Sequence, residues 1–267
     1  MTDGAFLSPS WLSDPSFGKL TRREQLREAG RILTDLALGS PRSIKAVLQD
    51  RRTPTGLSRL DPAPDTDLCK NAELLAVSVY SSAVLSHVYR CWSWATLIAK
   101  HEGLSFDPEA LYCAALLHDV GLTPAHAPDG GCGCFAVSGA RSSASLLAAW
   151  GAPRETVELV AKAIALHMDA RAAKGAANEV ALLHDAAFLD VVGSGVRRTT
   201  QADRATVLAA HPRTGFVAEF SRALRMEAKA RPRSRAALSY RLGAPIAVRL
   251  NPLERHPLAR SAPHGPS

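Results

Sequence analysis

The chain has 267 residues, 46% of them apolar, which suffices for one large core or one core with a small appendage, and a single main domain is expected. Met1 to Asp14 lacks the basic start and continuous apolar stretch of a secretory signal, and no apolar run approaches the roughly 18 residues of a membrane span. These features exclude a membrane-spanning helix and lead us to expect a soluble, cytoplasmic protein. Cys69, Cys91, Cys113, Cys132 and Cys134 form an odd set in a chain too long to need stapling, so reduced thiols are expected.

The net charge of +7 is unevenly spread: from Arg197 onward there are 14 Lys/Arg against 4 Asp/Glu, and the rest of the chain is slightly acidic. The arginines are scattered, aromatic residues are few and no reading motif accompanies them. A solvated basic surface is therefore expected rather than a nucleic-acid interface.

In chain order, Thr21 to Leu38 predicts an amphipathic helix, with a capping Thr followed three residues later by Glu24. Ser40 to Thr66, rich in Pro, Arg and Asp, reads as a connector. Leu68 to Lys100 predicts one long helix, or two with a break near Tyr80 to Ala83. Pro108 suits the first turn of the next helix, which runs to Val120 and stops at Gly121, a residue suited to a left-handed C-terminal position. That places His118 and Asp119 in a last helical turn. Pro124 to Cys134 is a glycine-rich loop. Helices are then predicted over Ser138 to Trp150, Pro153 to Met168, Glu179 to Val192, Ala202 to His211 and Gly215 to Lys229. Beyond Arg231, clustered Pro, Arg and Ser predict an irregular or partly disordered tail, although ALSYRLGAPIAV is apolar enough to pack on the core. No strand pattern stands out, so the fold class is all-α, with a main domain at 61–230 between an N-terminal helix and connector at 1–60 and an Arg/Pro-rich tail at 231–267.

The chemistry-bearing feature is His118-Asp119, directly after the apolar run LYCAALL. Two consecutive donors at a helix end can converge on one ion while the apolar run anchors them, and polar groups placed there are costly unless satisfied. A lone His-Asp pair is common, and this chain has a second, His184-Asp185, in a poorer setting. The first pair is reinforced by His87 upstream and Asp190 downstream, both inside apolar helices. Two imidazoles and two carboxylates suit zinc, with iron or manganese as alternatives, and leave positions for water and substrate. Arg90, three residues after His87, shares its helix face and is a candidate to orient substrate or hold a carboxylate. Lys70 and His126 are weaker pocket candidates, and Cys132, Cys134 and His126 make at most a poor second metal site.

The order His87, His118-Asp119, Asp190 resembles that of the HD-domain metal-dependent hydrolase superfamily, a helical bundle. The local wording is similar to its cyanamide hydratase-like branch: Pro64-Asp65-Thr66, Ser86-His87-Val88-Tyr89-Arg90, Leu116-Leu117-His118-Asp119-Val120-Gly121-Leu122-Thr123, Ala163-Ile164-Ala165-Leu166-His167, Leu189-Asp190-Val191-Val192-Gly193 and His211-Pro212-Arg213-Thr214-Gly215-Phe216. The chain departs from that branch at Ser86 (usually Asn), Val88 (usually Ser) and Met168 (usually Thr). The resemblance spans about Asp61 to Leu224.

It implies one divalent metal on His87, His118, Asp119 and Asp190, whose bound hydroxide adds to a small nitrile- or cyanamide-like substrate. Asp119 would relay the proton, and His167 and Arg90 would stand beside the substrate. The alternative within the same superfamily is a phosphohydrolase acting on nucleotides or phosphate esters. A di-iron oxygenase would need further histidines where Phe135 stands, and a metal-stabilised module would bind a partner without turnover. The expected partner is a small-molecule substrate, with no membrane and no nucleic acid; a homo-oligomer is left open.

Overall fold

The computed structural model describes residues 18–32, 34, 58–127, 133–170 and 175–260, and these contain helices and no strand. A first helix, α1, covers 22–32 and opens with the expected cap: Thr21 Oγ1 accepts from the Glu24 amide while the Glu24 carboxylate accepts from the Thr21 amide at 2.7 Å. The residues expected to finish that helix, and the connector before residue 58, lie outside the described residues; from 58 to 66 the connector is irregular.

The long apolar stretch is two helices, α2 (Asp67–Val79) and α3 (Ser82–Glu102). Thr66 caps the first and Ser81 the second, each side chain accepting from an amide three residues on. The break therefore falls at Tyr80-Ser81, because Ser81 offers the second helix its own cap. Every residue from Arg90 to Ala99 is buried, and so is every residue from Ala110 to Leu117 in α4 (Pro108–Leu117). Helices apolar all round must lie at the centre, and α3 packs on α4 and on α7 (Asn178–Val192). Around them stand α5 (Phe135–Ala149), α6 (Arg154–Leu166), α8 (Gln201–Ala210) and α9 (Phe216–Ala230).

Gly121 corrects one expectation. It is not left-handed; a Cβ there would stand 2.1 Å from the Phe135 carbonyl oxygen and 2.8 Å from the Gly139 amide nitrogen. It is glycine because the backbone of α5 lies directly on it. A short 3-10 turn over Val120–Leu122 carries this contact, so α4 ends at Leu117 and His118-Asp119 lies just beyond its last turn.

The tail is the larger departure. Where composition predicts irregular chain, the protein forms α10 (Arg235–Arg241) and α11 (Ala244–Arg249), then 3-10 turns to residue 260. Ala236, Val248, Asn251, Leu253 and Ala259 are all fully buried. Ser234 caps α10, and Gly193, left-handed at the end of α7, leaves room for Pro252, which a Cβ would meet at 2.5 Å. The basic C-terminal part is likewise partly internal, with Arg204, Arg213 and Arg235 buried in ion pairs and carbonyl contacts rather than spread on a solvated surface.

Candidate metal centre

Four side chains from three places meet in the interior. His87 comes from α3, His118 and Asp119 from the turn after α4, and His167 from the residue following α6; all are 4% exposed or less. Each imidazole is oriented from behind by an acceptor at Nδ1: the Asp190 carboxylate at 2.7 Å for His87, the Ala115 carbonyl at 2.8 Å for His118 and the Ile164 carbonyl at 2.6 Å for His167. Those acceptors fix the proton on Nδ1 and turn the Nε2 lone pairs inward. The His87 and His118 Nε2 atoms face one another at 3.2 Å, and Asp119 Oδ2 lies 3.6 Å from the first and 3.5 Å from the second.

Two imidazole lone pairs and a carboxylate this close repel unless a cation joins them. A proton is a poor occupant, because burial, with the neighbouring His87, holds the His118 pKa below its usual value despite Asp119. A divalent ion fits: bonds of roughly 2.0–2.2 Å arranged tetrahedrally place donors roughly 3.3–3.6 Å apart, and the three spacings run from 3.2 to 3.6 Å. His167 Nε2 lies 3.9 Å from Asp119 Oδ1, and its donor atom falls within 4.8 Å of those of His118 and Asp119. Burial and the neighbouring His118 push its pKa down to about 3, so it too is neutral. Cys91 Sγ approaches the His87 ring at 3.7 Å, one helical turn on, a position that the i, i+4 spacing in the sequence already carried. Burial, with Asp190 and Asp119, keeps this thiol well above its ordinary pKa and so protonated, a packing neighbour more than a donor.

Asp190, placed by sequence in the ligand set, meets His87 Nδ1 with Oδ2 at 2.7 Å. Arg90 grips it with Nε on Oδ1 at 2.8 Å and a terminal nitrogen on Oδ2 at 2.9 Å, Trp94 donates to Oδ1 at 2.9 Å, and Arg213 stands 3.0 Å from the same oxygen. Burial works against its ionised form, yet Arg90, Arg213 and His87 outweigh this and hold the carboxyl well below its usual range. Arg213 and Asn251 also donate to the Asp190 backbone carbonyl at 2.7 and 2.8 Å, so the C-terminal segment clamps this turn of α7. Arg90 for its part is fully buried, with its other terminal nitrogen on the His211 and Pro212 carbonyls, and does not touch the cavity beside the centre. It holds Asp190, and through it His87.

Sequence reasoning missed several supports. Phe216 stacks on His87 at 4.8 Å and lies between the Arg90 and Arg213 guanidiniums. The Tyr80 hydroxyl is buried against Asp119 outside full hydrogen-bond geometry, and burial together with that carboxylate pushes its pKa well up. Tyr80 sits in the helix break, where only tertiary packing turns it inward. Of the weaker candidates, Lys70 pairs with Asp65 on the surface, and neither it nor His126 lines the cavity. Cys132 lies outside the described residues. The second His-Asp pair is spent: His184 contacts Asp185 and the Asp169 carbonyl, each at 2.9 Å, and Asp185 pairs with Arg198.

An all-α bundle with a buried His/His-Asp/His cluster able to hold a divalent ion is the class that fold and centre define. Residues 84–204, from α3 to the start of α8, match the family model of the HD domain. The chain is similar to this domain over that segment, and His87, His118, Asp119, His167 and Asp190 all fall within it. No curated protein matches the sequence.

Proposed function

We propose that this chain is a metal-dependent hydratase or hydrolase that adds water to an uncharged, nitrile- or cyanamide-like carbon. The observation that carries the reading is the convergence of the His87 and His118 Nε2 lone pairs with Asp119 at tetrahedral spacing, beside a cavity of about 700 Å³. His87, His118 and Asp119 would hold the ion, with His167 as the next donor and Asp190 behind His87; nitrogen donors and short spacings favour zinc over iron or manganese. A divalent ion held there would acidify a water and polarise the electrophile.

The protein's own groups do the rest. Asp119 turns Oδ2 to the histidine pair and Oδ1 to His167, so one oxygen remains directed away from the pair to take and return a proton. His167, neutral at physiological pH, offers a lone pair and accepts a hydrogen bond from water rather than storing charge. The water oxygen bonds to the carbon and both its protons end on the former nitrile nitrogen, giving an amide, or a urea from cyanamide. The cavity walls favour this over phosphate-ester chemistry: among the described lining residues the charged groups are Asp119, Asp185 and Arg198, and Arg198 is already paired with Asp185 and Glu102.

The test is zinc-loaded protein offered cyanamide and simple nitriles beside a nucleoside-monophosphate panel, with His118→Ala as control. Urea or amide formation that disappears in the control supports the reading. Phosphate release with inert nitriles assigns the centre to phosphohydrolysis instead.

A further inference from the structure

The cavity beside the centre is far too large and too apolar for cyanamide alone. Its volume is about 700 Å³, within the range of sites that enclose drug-sized ligands, whereas a molecule the size of two or three waters, at ~30 Å³ each, would fill about a tenth of it. Its walls come from three directions. Phe188 and Val191 line it from α7, Phe220 and Leu224 from α9, and Ile246 and Leu250 from α11. The last two are 64% and 55% exposed while also lining the cavity, so they form its rim rather than its floor. The donors of His118, Asp119 and His167 make a polar patch at the centre, and Asp185 and Arg198 add a second one to a lining that is otherwise mostly apolar.

From this we infer that the centre acts on an uncharged compound carrying a sizeable apolar body, an alkyl or aryl group that enters past α11 and packs against α7 and α9. The inference rests on the hydratase reading for the reacting group, but not for the body. The charges lining the cavity argue for neutrality: among the described lining residues two carboxylates, Asp119 and Asp185, face one guanidinium, Arg198, already paired with Asp185 and Glu102, so an anionic head meets net repulsion before any metal is bound. The α9 and α11 walls belong to the segment beyond the HD match, so part of this chain's selectivity comes from outside the part that carries its donors.

The test is titration calorimetry of the metal-free protein with linear nitriles from propionitrile to octanenitrile, with octanoate and adenosine monophosphate as comparators. Affinity should rise about three- to fourfold per added methylene, the burial of one methylene being worth ~0.8 kcal/mol. Octanoate should bind at least about tenfold more weakly than octanenitrile, as like-charge contacts predict. Ala247→Trp, which fills the cavity, and Ile246→Asp, a change on an exposed rim residue that does not threaten the fold, should both flatten the dependence on chain length. A wild-type affinity indifferent to chain length, or adenosine monophosphate binding more tightly than octanenitrile, overturns the inference. Amide release from octanenitrile by the zinc-loaded protein is read separately. Chain-length-dependent binding without release sinks the hydratase reading and leaves the ligand class standing, whereas release without chain-length dependence does the reverse.

Discussion

His87 and Asp190 are joined by a 2.7 Å contact from imidazole Nδ1 to carboxylate Oδ2, and this pairing decides which end of the histidine faces the centre. Because the carboxylate is already held by Arg90, Arg213 and Trp94, it cannot swing away, and the imidazole it orients is fixed with it. Asp190→Asn should therefore leave three donors at the centre yet weaken zinc binding by roughly 10–100-fold, the usual effect of losing a partner behind a metal-binding histidine. His118→Ala should abolish binding. Metal content after dialysis, followed by competition with a chromogenic chelator, checks both.

The same cluster sets a stability prediction. Asp190→Ala leaves the buried Arg90 guanidinium without its carboxylate and Arg213 with Glu254 alone, and should cost roughly 3–5 kcal/mol in urea denaturation. Replacing Asp190 by Leu together with Arg90→Met and Arg213→Met removes all three charges and should recover most of that loss. A single replacement that costs as little as a surface ion pair would show that the cluster is not dry.

Gly121→Ala places a Cβ where the Phe135 carbonyl oxygen stands, 2.1 Å away. Since that atom is backbone, relief requires α5 to move, at the upper end of the roughly 1–3 kcal/mol of overpacking or beyond. The displaced turn carries His118-Asp119, so zinc affinity should fall together with the melting temperature. A variant with wild-type melting and metal content would refute the close contact.

Asn251→Ala leaves the Asp190 carbonyl with Arg213 alone and removes the contact that ties the C-terminal segment to α7. The expected cost is about 1–3 kcal/mol, as for other buried polar groups that lose a partner. Hydrogen exchange should show faster opening of 244–259 in this variant, with α3 and α4 unchanged.

His211 gives a pH dependence. Burial, then the nearby Arg90, lowers its pKa to about 4, while in the unfolded chain it is about 6.5. Below about pH 6.5 the unfolded state takes up a proton that the folded state refuses, so this contribution is complete above that pH and is lost as pH falls toward 4. His211→Phe, which retains an aromatic ring to stack on Tyr89, should reduce the loss of stability of metal-free protein between pH 7 and pH 4.5. Equal slopes for both proteins would contradict it.

Much of the fold was legible because its signals are local. The Thr21 cap, the helix break near Tyr80 and Pro108 at the start of α4 act within a turn of their own position. His118-Asp119 was legible because two adjacent polar residues after an unbroken apolar run have little reason to be there without a partner. The role of Asp190 was not, since one carboxylate shared among Arg90, Arg213, Trp94 and His87 is a contact among residues up to about a hundred positions apart, and spacing along a chain says nothing of which face meets which.

By itself, then, the sequence determined an all-helical chain and the presence of buried donors, because helix periodicity, caps and the cost of burying imidazoles and carboxylates are properties of residues and their near neighbours. Tertiary structure alone decided that Asp190 contacts His87 and that Arg90 is buried against Asp190, away from the cavity lining. It also decided that Gly121 yields to a neighbouring backbone and that the Arg/Pro-rich end closes a cavity. Those outcomes depend on which buried groups compete for the same partner, and that competition is settled only when the helices pack.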